Sequence, residues 1–369
     1  MKTEKAILKL EEQAVFDLRA LYSRYGYLPY KMSRFEEYDL YVRNKDFLAS
    51  EQIVTFADRN GKLLALKPDV TLSIIKNAPD VAGAVQKLYY NESVYRADPA
   101  SHALKEILQT GLECVGDLGS YEIAEVVLLA AKSLRLLSRD FVLDLSHMGL
   151  IHAVLDSCGI PAENRKQVLL CLNQKNAHEL LRLCGGVSEI GVQKLRALVE
   201  FSGEPAAVLS SLENVLTEEA ECLALDELRQ LCAVLEGFGS CIRVDFSVGN
   251  NMKYYNGVVF KGYLQGLPSS ILSGGQYDKL LEKMGRSSRA IGFALYLSML
   301  ERQNENAGLF DIDTLILHDG SLDTAALVAL SEKAQEDGSV LVATELPTGR
   351  RYRRMITVKN GEVTCHEYG

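Results

Sequence analysis

Apolar residues recur at helical spacing near the start of the chain, at Leu10, Ala14, Leu18 and Leu21, and Gly26 ends the run. That spacing predicts an amphipathic helix. In IVTFADRNGKLLALKPDVT the pattern changes to alternation on either side of Asn60-Gly61, which predicts a hairpin. AVQKLYYNESVYR and KEILQTGLECVGD read as two further extended segments, and YEIAEVVLLAAKSLRLLS (121–138) as a helix. From about 148 to 240 the chain turns helical, through HAVLDSC, RKQVLLCL, HELLRLC, VQKLRALVEF and LDELRQLCAVLEGF. Two strand-like runs, FVLDLSH (141–147) and CIRVDFSV (241–248), bracket that block. It therefore reads as a helical insertion into an antiparallel sheet. Strands resume in KYYNGVVFKGYL and ILSGGQYDKLL, and AIGFALYLSMLER is expected to close the core as a helix.

A polar linker, ERQNENAGL, precedes a second pattern: strand DTLILHD, helix AALVALSEKAQEDG, strand SVLVAT, and ITVKNGEVTCHEY as a hairpin turned at Asn360-Gly361. The expected organisation is a core over 1–305 carrying the helical insertion, followed by a short α/β module over 311–369. A module of that size is marginally stable by itself.

Composition narrows the class. The chain has 369 residues, 47% hydrophobic and 24% charged, as in ordinary globular proteins. No run approaches the roughly 18 apolar residues that a membrane span needs. The start, MKTEKAILKLEEQ, lacks a signal peptide's apolar stretch, so a cytoplasmic location is expected. Cys114, Cys158, Cys171, Cys184, Cys222, Cys232, Cys241 and Cys365 form no C-x-x-C pair, and no H-E-x-x-H occurs. The cysteines read as reduced core residues, and neither a metal nor a cofactor is expected. A net charge of −9 argues against a nucleic-acid surface. The basic cluster GRRYRR (349–354) reads as an exposed loop beside a strand rather than an RNA patch.

Three stretches concentrate hydrogen-bonding residues among apolar strands. LKPDVT offers Asp69 and Thr71; VYRADP with LQTGLE offers Arg96, Gln109 and Glu113; GNNMKYYNGVVFKGY with SGGQYDKL offers Tyr254, Tyr255 and Tyr277. Singly, each has a plain structural account. Asp69 after Pro68 suits a turn, Arg96 a surface charge, and the Gln109-Gly111-Glu113 face an exposed strand edge. Adjacent residues of a strand point to opposite faces. One of Tyr254 and Tyr255 is therefore expected in a pocket, with its neighbour packed on the other side.

Taken together, the order LALKPDVT, KLYYNESVYR, QTGLECVGD, MKYYNGVVF, SGGQYDKLL, GFALYLSMLER resembles the catalytic core of histidyl-tRNA synthetase over roughly residues 15–302. The resemblance implies an α+β fold: a class II aminoacyl-tRNA synthetase-like antiparallel sheet flanked by helices, with a helical insertion and a short C-terminal α/β module. It further implies that Asp69, Thr71 and Gln109 hold the amino group of a bound histidine. Glu113 and one of the two tyrosines would grip the imidazole, and Arg96 the carboxylate, with Tyr277 in the same pocket.

Departures from that family matter as much. Asn250 stands where the synthetases carry an arginine, and Met299 where a second arginine clamps ATP. The loop ADPASHALKE has Asp98 for a glutamate and no arginine. Adenylation relies on cationic stabilisation of phosphate charge, so the amino-acid pocket is expected to outlast the ATP site. From 311 onward ten acids face six Lys and Arg, which argues against reading a tRNA anticodon.

A synthetase-like chain with these losses resembles the regulatory subunits of ATP phosphoribosyltransferase. That resemblance implies a non-catalytic subunit in the first step of histidine biosynthesis, partnered with a short-form catalytic subunit. It also implies a homodimer within a hetero-oligomer, a hetero-octamer, and histidine as feedback effector. Two alternatives stay open, a divergent histidyl-tRNA synthetase and a synthetase-like amino-acid ligase. Whether effector histidine uses the synthetase-like pocket or a subunit interface also stays open.

Overall fold

The computed structural model describes residues 9–48, 53–78, 81, 83–97, 101, 103–248, 254–300 and 310–368. Asn250, Asp98 and the linker 301–309 lie outside the described residues. The chain divides into two compact units, Met1–Met299 and Leu300–Gly369.

The first unit opens with helix α1 (Leu10–Arg24), and Gly26 follows at a φ of +80°. Only glycine adopts that region without strain, so the helix stops there. Strand β1 (Leu28–Pro29) comes next. A small three-stranded sheet follows, of β2 (Phe35–Glu37), β3 (Thr55–Ala57) and β4 (Leu63–Leu66), with the short helix α2 (Tyr38–Arg43) after β2. The β3–β4 hairpin turns at Gly61, also at positive φ. Helix α3 (Thr71–Asn77) leads to the long hairpin β5 (Val85–Ala97) and β6 (Leu104–Gly116).

Helix α4 (Ser120–Leu137) lies on the sheet and buries Val126, Val127, Leu129, Ala130, Ala131 and Leu134. Helix α1 packs on it, and the buried Tyr22 hydroxyl meets Ser133 Oγ at 3.0 Å. Strand β7 (Phe141–His147) precedes the helical block, α5 (Met148–Ser157), α6 (Ala162–Asn173), α7 (Ala177–Leu183) and α8 (Glu189–Glu200). The block continues through the short strand β8 (Ser202–Gly203) to α9 (Pro205–Glu213) and α10 (Glu219–Val234), and ends at β9 (Ile242–Asp245). The unit finishes with β10 (Val258–Leu264), β11 (Leu272–Gln276), helix α11 (Asp278–Lys283) and β12 (Arg289–Tyr296).

Nine strands form one sheet in the order β1-β5-β6-β12-β11-β10-β7-β9-β8. Every pairing is antiparallel except β1 with β5 and β7 with β9. The two strands that bracket the helical block are thus parallel neighbours, Leu143 opposite Ile242. A parallel pair needs a long crossover, and here the helices provide it.

One sequence expectation is corrected. Residues 289–296 of AIGFALYLSMLER form strand β12, not a helix, and helix begins only at Ser298. The strand is buried on both faces from Ala290 to Leu295. A strand covered on both sides shows no alternation, so its apolar run mimics a helix.

Within the helical block, Lys194 Nζ donates to both carboxylate oxygens of Glu221 at 2.8 Å, and both residues are buried. Glu221 also accepts from Ser157 Oγ and from the backbone N–H groups of Thr217 and Glu218. The pair is therefore fully hydrogen-bonded, the condition under which a buried ion pair holds.

In the second unit β13 (Ile312–His318), helix α12 (Thr324–Gln335), β14 (Val340–Ala343), β15 (Tyr352–Lys359) and β16 (Glu362–Glu367) make a sheet ordered β14-β13-β15-β16. One buried cluster in it is Ile316, Ala334 and Val358, flanked by partly buried aliphatics, and Ile312 and Leu315 are buried as well. The hairpin turns at Asn360 and Gly361, both at positive φ, as a type I′ turn requires. The basic cluster lies partly in β15 rather than in a loop. Arg351, Arg353 and Arg354 pair with Asp311, Asp313 and Asp337, so it is not a bare cationic patch. Cys222 and Cys365 are exposed, so not all the cysteines are core residues.

Replacing Glu221 by alanine strands the Lys194 ammonium in the interior. The expected cost is about 3–5 kcal/mol, read as a lower urea midpoint at unchanged slope. A loss under about 1 kcal/mol would mean that water reaches Lys194.

Candidate ligand-binding site

Gln109, Gly111 and Glu113 point to one face of β6, because strand side chains alternate. That face is not an edge. Strand β6 lies between β5 and β12, and Gln109 and Glu113 are each only 2% exposed. Gly292 of β12 sits opposite Glu113, and a Cβ there would lie 1.7 Å from Glu113 Oε2. A Cβ on Gly111 would meet the Phe293 carbonyl at 2.2 Å and the Tyr90 hydroxyl at 2.6 Å. Two glycines thus clear the space that the carboxyl and the phenol occupy.

The Glu113 carboxyl accepts Thr71 Oγ1–H at 2.6 Å on Oε1 and the Tyr277 hydroxyl on Oε2. Burial pushes its pKa up to about 8; the two hydrogen bonds oppose the shift and the nearby Asp69 charge adds to it. Gln109 Nε2 donates to the Tyr90 hydroxyl at 2.9 Å, whereas Gln109 Oε1 is buried without a partner. A buried acceptor left open is costly, and it marks where a ligand's N–H would go.

Asp69 has two roles. Its Oδ1 accepts the Leu72 N–H at 2.9 Å, fixing the start of α3, and the residue also lines the cavity. Burial raises its pKa, while the Leu72 N–H and Arg96 pull the other way. Arg96 is half-buried. Its Nε donates to the Pro68 carbonyl at 2.9 Å, and its guanidinium lies 5.9 Å from the Tyr296 ring centroid.

Tyr254 and Tyr255 correct a second expectation. Their ring centroids are 4.5 Å apart and both line the same cavity. They precede β10, in irregular backbone, where strand alternation does not apply. Tyr254 also approaches Phe47 at 5.4 Å and Tyr277 at 6.4 Å. The segment is held by Asp278, which accepts from Asn256 Nδ2 at 2.9 Å, Gln276 Nε2 at 2.5 Å and the Ala290 N–H at 2.9 Å. Asn256 Oδ1 in turn accepts the Asp278 N–H at 2.8 Å.

All eight residues singled out from the sequence, Asp69, Thr71, Arg96, Gln109, Glu113, Tyr254, Tyr255 and Tyr277, line one cavity of about 580 Å³, its open mouth included. Phe47, Tyr90, Ser273, Gly292 and Tyr296 line it too and were not anticipated. Tyr90 carried a signal in the adjacent phenols of KLYYNESVYR. Gly292 was hidden by the helical reading of its strand. Among the described lining residues Arg96 is the one lysine or arginine. Met299 is half-buried and outside the lining.

The family model of histidyl-tRNA synthetase matches residues 5–300. An ATP phosphoribosyltransferase regulatory subunit of Syntrophotalea carbinolica is 30% identical over 335 residues, covering 87% of this chain and 78% of that protein. The chain belongs to the histidyl-tRNA synthetase family, among the ATP phosphoribosyltransferase regulatory subunits. A solved structure from Bacillus halodurans, described as an ATP phosphoribosyltransferase regulatory subunit/histidyl-tRNA synthetase, matches with a TM-score of 0.74 at 23% identity over 97% of both chains. A chain of the ATP phosphoribosyltransferase complex from Thermotoga maritima matches at 0.62, with 19% identity over 78% of this chain and 97% of that one. These likenesses show a class II synthetase-like α+β fold. The histidyl-tRNA synthetase family match ends where the first compact unit ends, so the pocket lies wholly inside it.

The raised pKa makes a stability prediction. Between about pH 4.5 and about 8 the folded chain keeps the Glu113 proton that the unfolded chain releases. Folding therefore binds a proton in that window, and this carboxyl's contribution to stability falls as pH rises through it. Glu113→Gln has no such proton. Its urea midpoint is expected to decline less than the parent's over the same range, without added ligand. Parallel declines would place the Glu113 pKa near its ordinary value.

Proposed function

We propose that this chain is the non-catalytic regulatory subunit of an ATP phosphoribosyltransferase, and that it binds histidine in the cavity built around Glu113. The observation that carries the reading is the donor and acceptor set of the cavity. Arg96 suits a carboxylate, while the open Gln109 Oε1 and Asp69 suit an ammonium. Glu113, poised between its charged and neutral forms, suits an imidazole. The naming of the curated relatives supports the same role, with a separate catalytic subunit as partner.

Loss of adenylation is part of the proposal. Transfer from ATP needs several cations on the phosphates, and among the described lining residues the cavity supplies Arg96. Met299 in place of a clamping arginine fits that reading. Histidine occupancy then acts on the partner. It biases the complex only as far as histidine binds the inactive arrangement better than the active one. A homodimer within a hetero-octamer, in the cytoplasm, is the assembly we propose.

Histidine affinity should follow a shared proton. In the complex one proton lies between the imidazole and Glu113. The free partners together hold one proton between about pH 6.5, where imidazole titrates, and about 8, where Glu113 does. Affinity is expected to be flat across that interval. It should fall below it, where a proton must leave, and above it, where one must be taken up. In calorimetric titrations Glu113→Gln should lose the Glu113 part of the high-pH fall; loss of the ligand's own ammonium affects both proteins alike. Arg96→Ala should weaken binding at least tenfold. Undiminished histidine binding in Arg96→Ala would refute the pocket. Histidine-dependent ATP–pyrophosphate exchange by the purified chain is expected to be absent, and its presence would favour a working synthetase.

A further inference from the structure

A second cavity, of about 840 Å³ with its open mouth, lies on the other face of the large sheet. The faces follow from register. Ser273 and Gly292 line the first cavity, whereas Gln276 and Arg289, three residues away on the same two strands, line the second. His147 and Val258 complete its strand side. Its helical walls carry an apolar stripe, Ile123 and Ala124 of α4 with Leu231 and Val234 of α10, beside the polar Ser120 and Tyr121 of α4 and Glu227 and Gln230 of α10.

Two opposite charges face this space. Arg289 Nη1 donates to the Leu118 carbonyl at 2.8 Å, which anchors the guanidinium and leaves Nη2 without a partner among the described residues. The nearby Asp278 carboxylate, 3.5 Å from Arg289 Nε, already accepts from Asn256, Gln276 and the Ala290 N–H. On the helical side is Glu227. His147 Nδ1 accepts the Leu150 N–H at 3.1 Å, so the ring proton sits on Nε2 and is donated to Glu227 Oε2 at 3.0 Å. That contact orients the carboxylate and leaves Oε1 open.

We propose that this cavity binds an apolar α-amino acid, with its carboxylate on Arg289, its ammonium on Glu227 and its side chain against Ile123, Leu231 and Val234. A plain carboxylate would meet Arg289 but be repelled by Glu227, and a plain amine the reverse. A zwitterion satisfies both, and a side chain laid on Ile123, Leu231 and Val234 keeps its contacts only if it is apolar, since a polar one would lose hydrogen bonds against that stripe. The site stands apart from the histidine reading, since none of its residues lines the first cavity.

The test is calorimetric and saturation-transfer titration of the purified full chain with L-leucine and, separately, L-phenylalanine. N-acetyl-L-leucine and L-leucinamide each remove one charge. At least one of the two amino acids is expected to bind with a Kd below about 1 mM, and both blocked forms at least tenfold more weakly than L-leucine. Val234→Trp fills the mouth and Glu227→Gln keeps the His147 contact while removing the charge. Each should weaken binding at least tenfold with the melting curve retained. If Val234→Trp fails to fold, Glu227→Gln at the solvent-facing rim decides. No binding at about 10 mM, equal binding of the blocked forms, or full binding by Glu227→Gln would overturn the proposal.

Discussion

Burial of the Glu113 carboxyl is the constraint around which the first unit is built. A carboxyl on an interior strand of a nine-stranded sheet, only 2% exposed, is largely stripped of water, and hydrogen bonds offset that cost. Thr71, at the start of α3, and Tyr277, just after β11, supply them. Those partners come from elements far apart in sequence, so one side chain ties the N-terminal region to the last strands. Gly292 is the steric half of the same constraint, since any Cβ at that position would occupy the carboxyl's place. Asp278 repeats the principle one residue beyond Tyr277, tying the segment at Asn256, the end of β11 at Gln276 and the start of β12 at Ala290 to one carboxylate. Tyr254 and Tyr255, just before Asn256, and Tyr277, just before Asp278, flank that junction.

The same residues define what the cavity can hold. Among the described residues its walls combine one guanidinium, two acids and several phenols, with Gln109 Oε1 open. In the proposed reading such a set suits a small zwitterion better than a triphosphate. In the reading proposed here the ancestral chemistry has divided, with amino-acid recognition retained and the cationic part of catalysis lost. The chain would then act by the difference in its affinity for histidine between two arrangements of a complex.

Much of this is legible in the sequence. The face shared by Gln109, Gly111 and Glu113 followed from alternation in QTGLE, and the insertion followed from strand-like runs on either side of helices. What was missed has a common cause, namely the absence of a periodic signal. Strand β12 is covered on both faces and so reads as an unbroken apolar run. The Tyr254-Tyr255 backbone is irregular, so two neighbours share one cavity where a strand would have separated them. Tyr90, Tyr296 and Phe47 enter the site through tertiary packing, which no local pattern encodes. The parallel pairing of β7 with β9 depends on the path of the inserted helices. The raised Glu113 pKa depends on burial that only the assembled sheet creates.

The most direct measurement of the central claim is phosphoribosyl-ATP formation by a short-form catalytic subunit from the same organism, with and without this chain, under histidine titration. The account predicts that activity requires the chain, that histidine suppresses it, and that Arg96→Ala shifts the inhibition curve to at least tenfold higher histidine. Activity indifferent to the chain would contradict the regulatory role. Activity that needs the chain but is inhibited identically in Arg96→Ala and Glu113→Ala would place effector histidine outside the pocket.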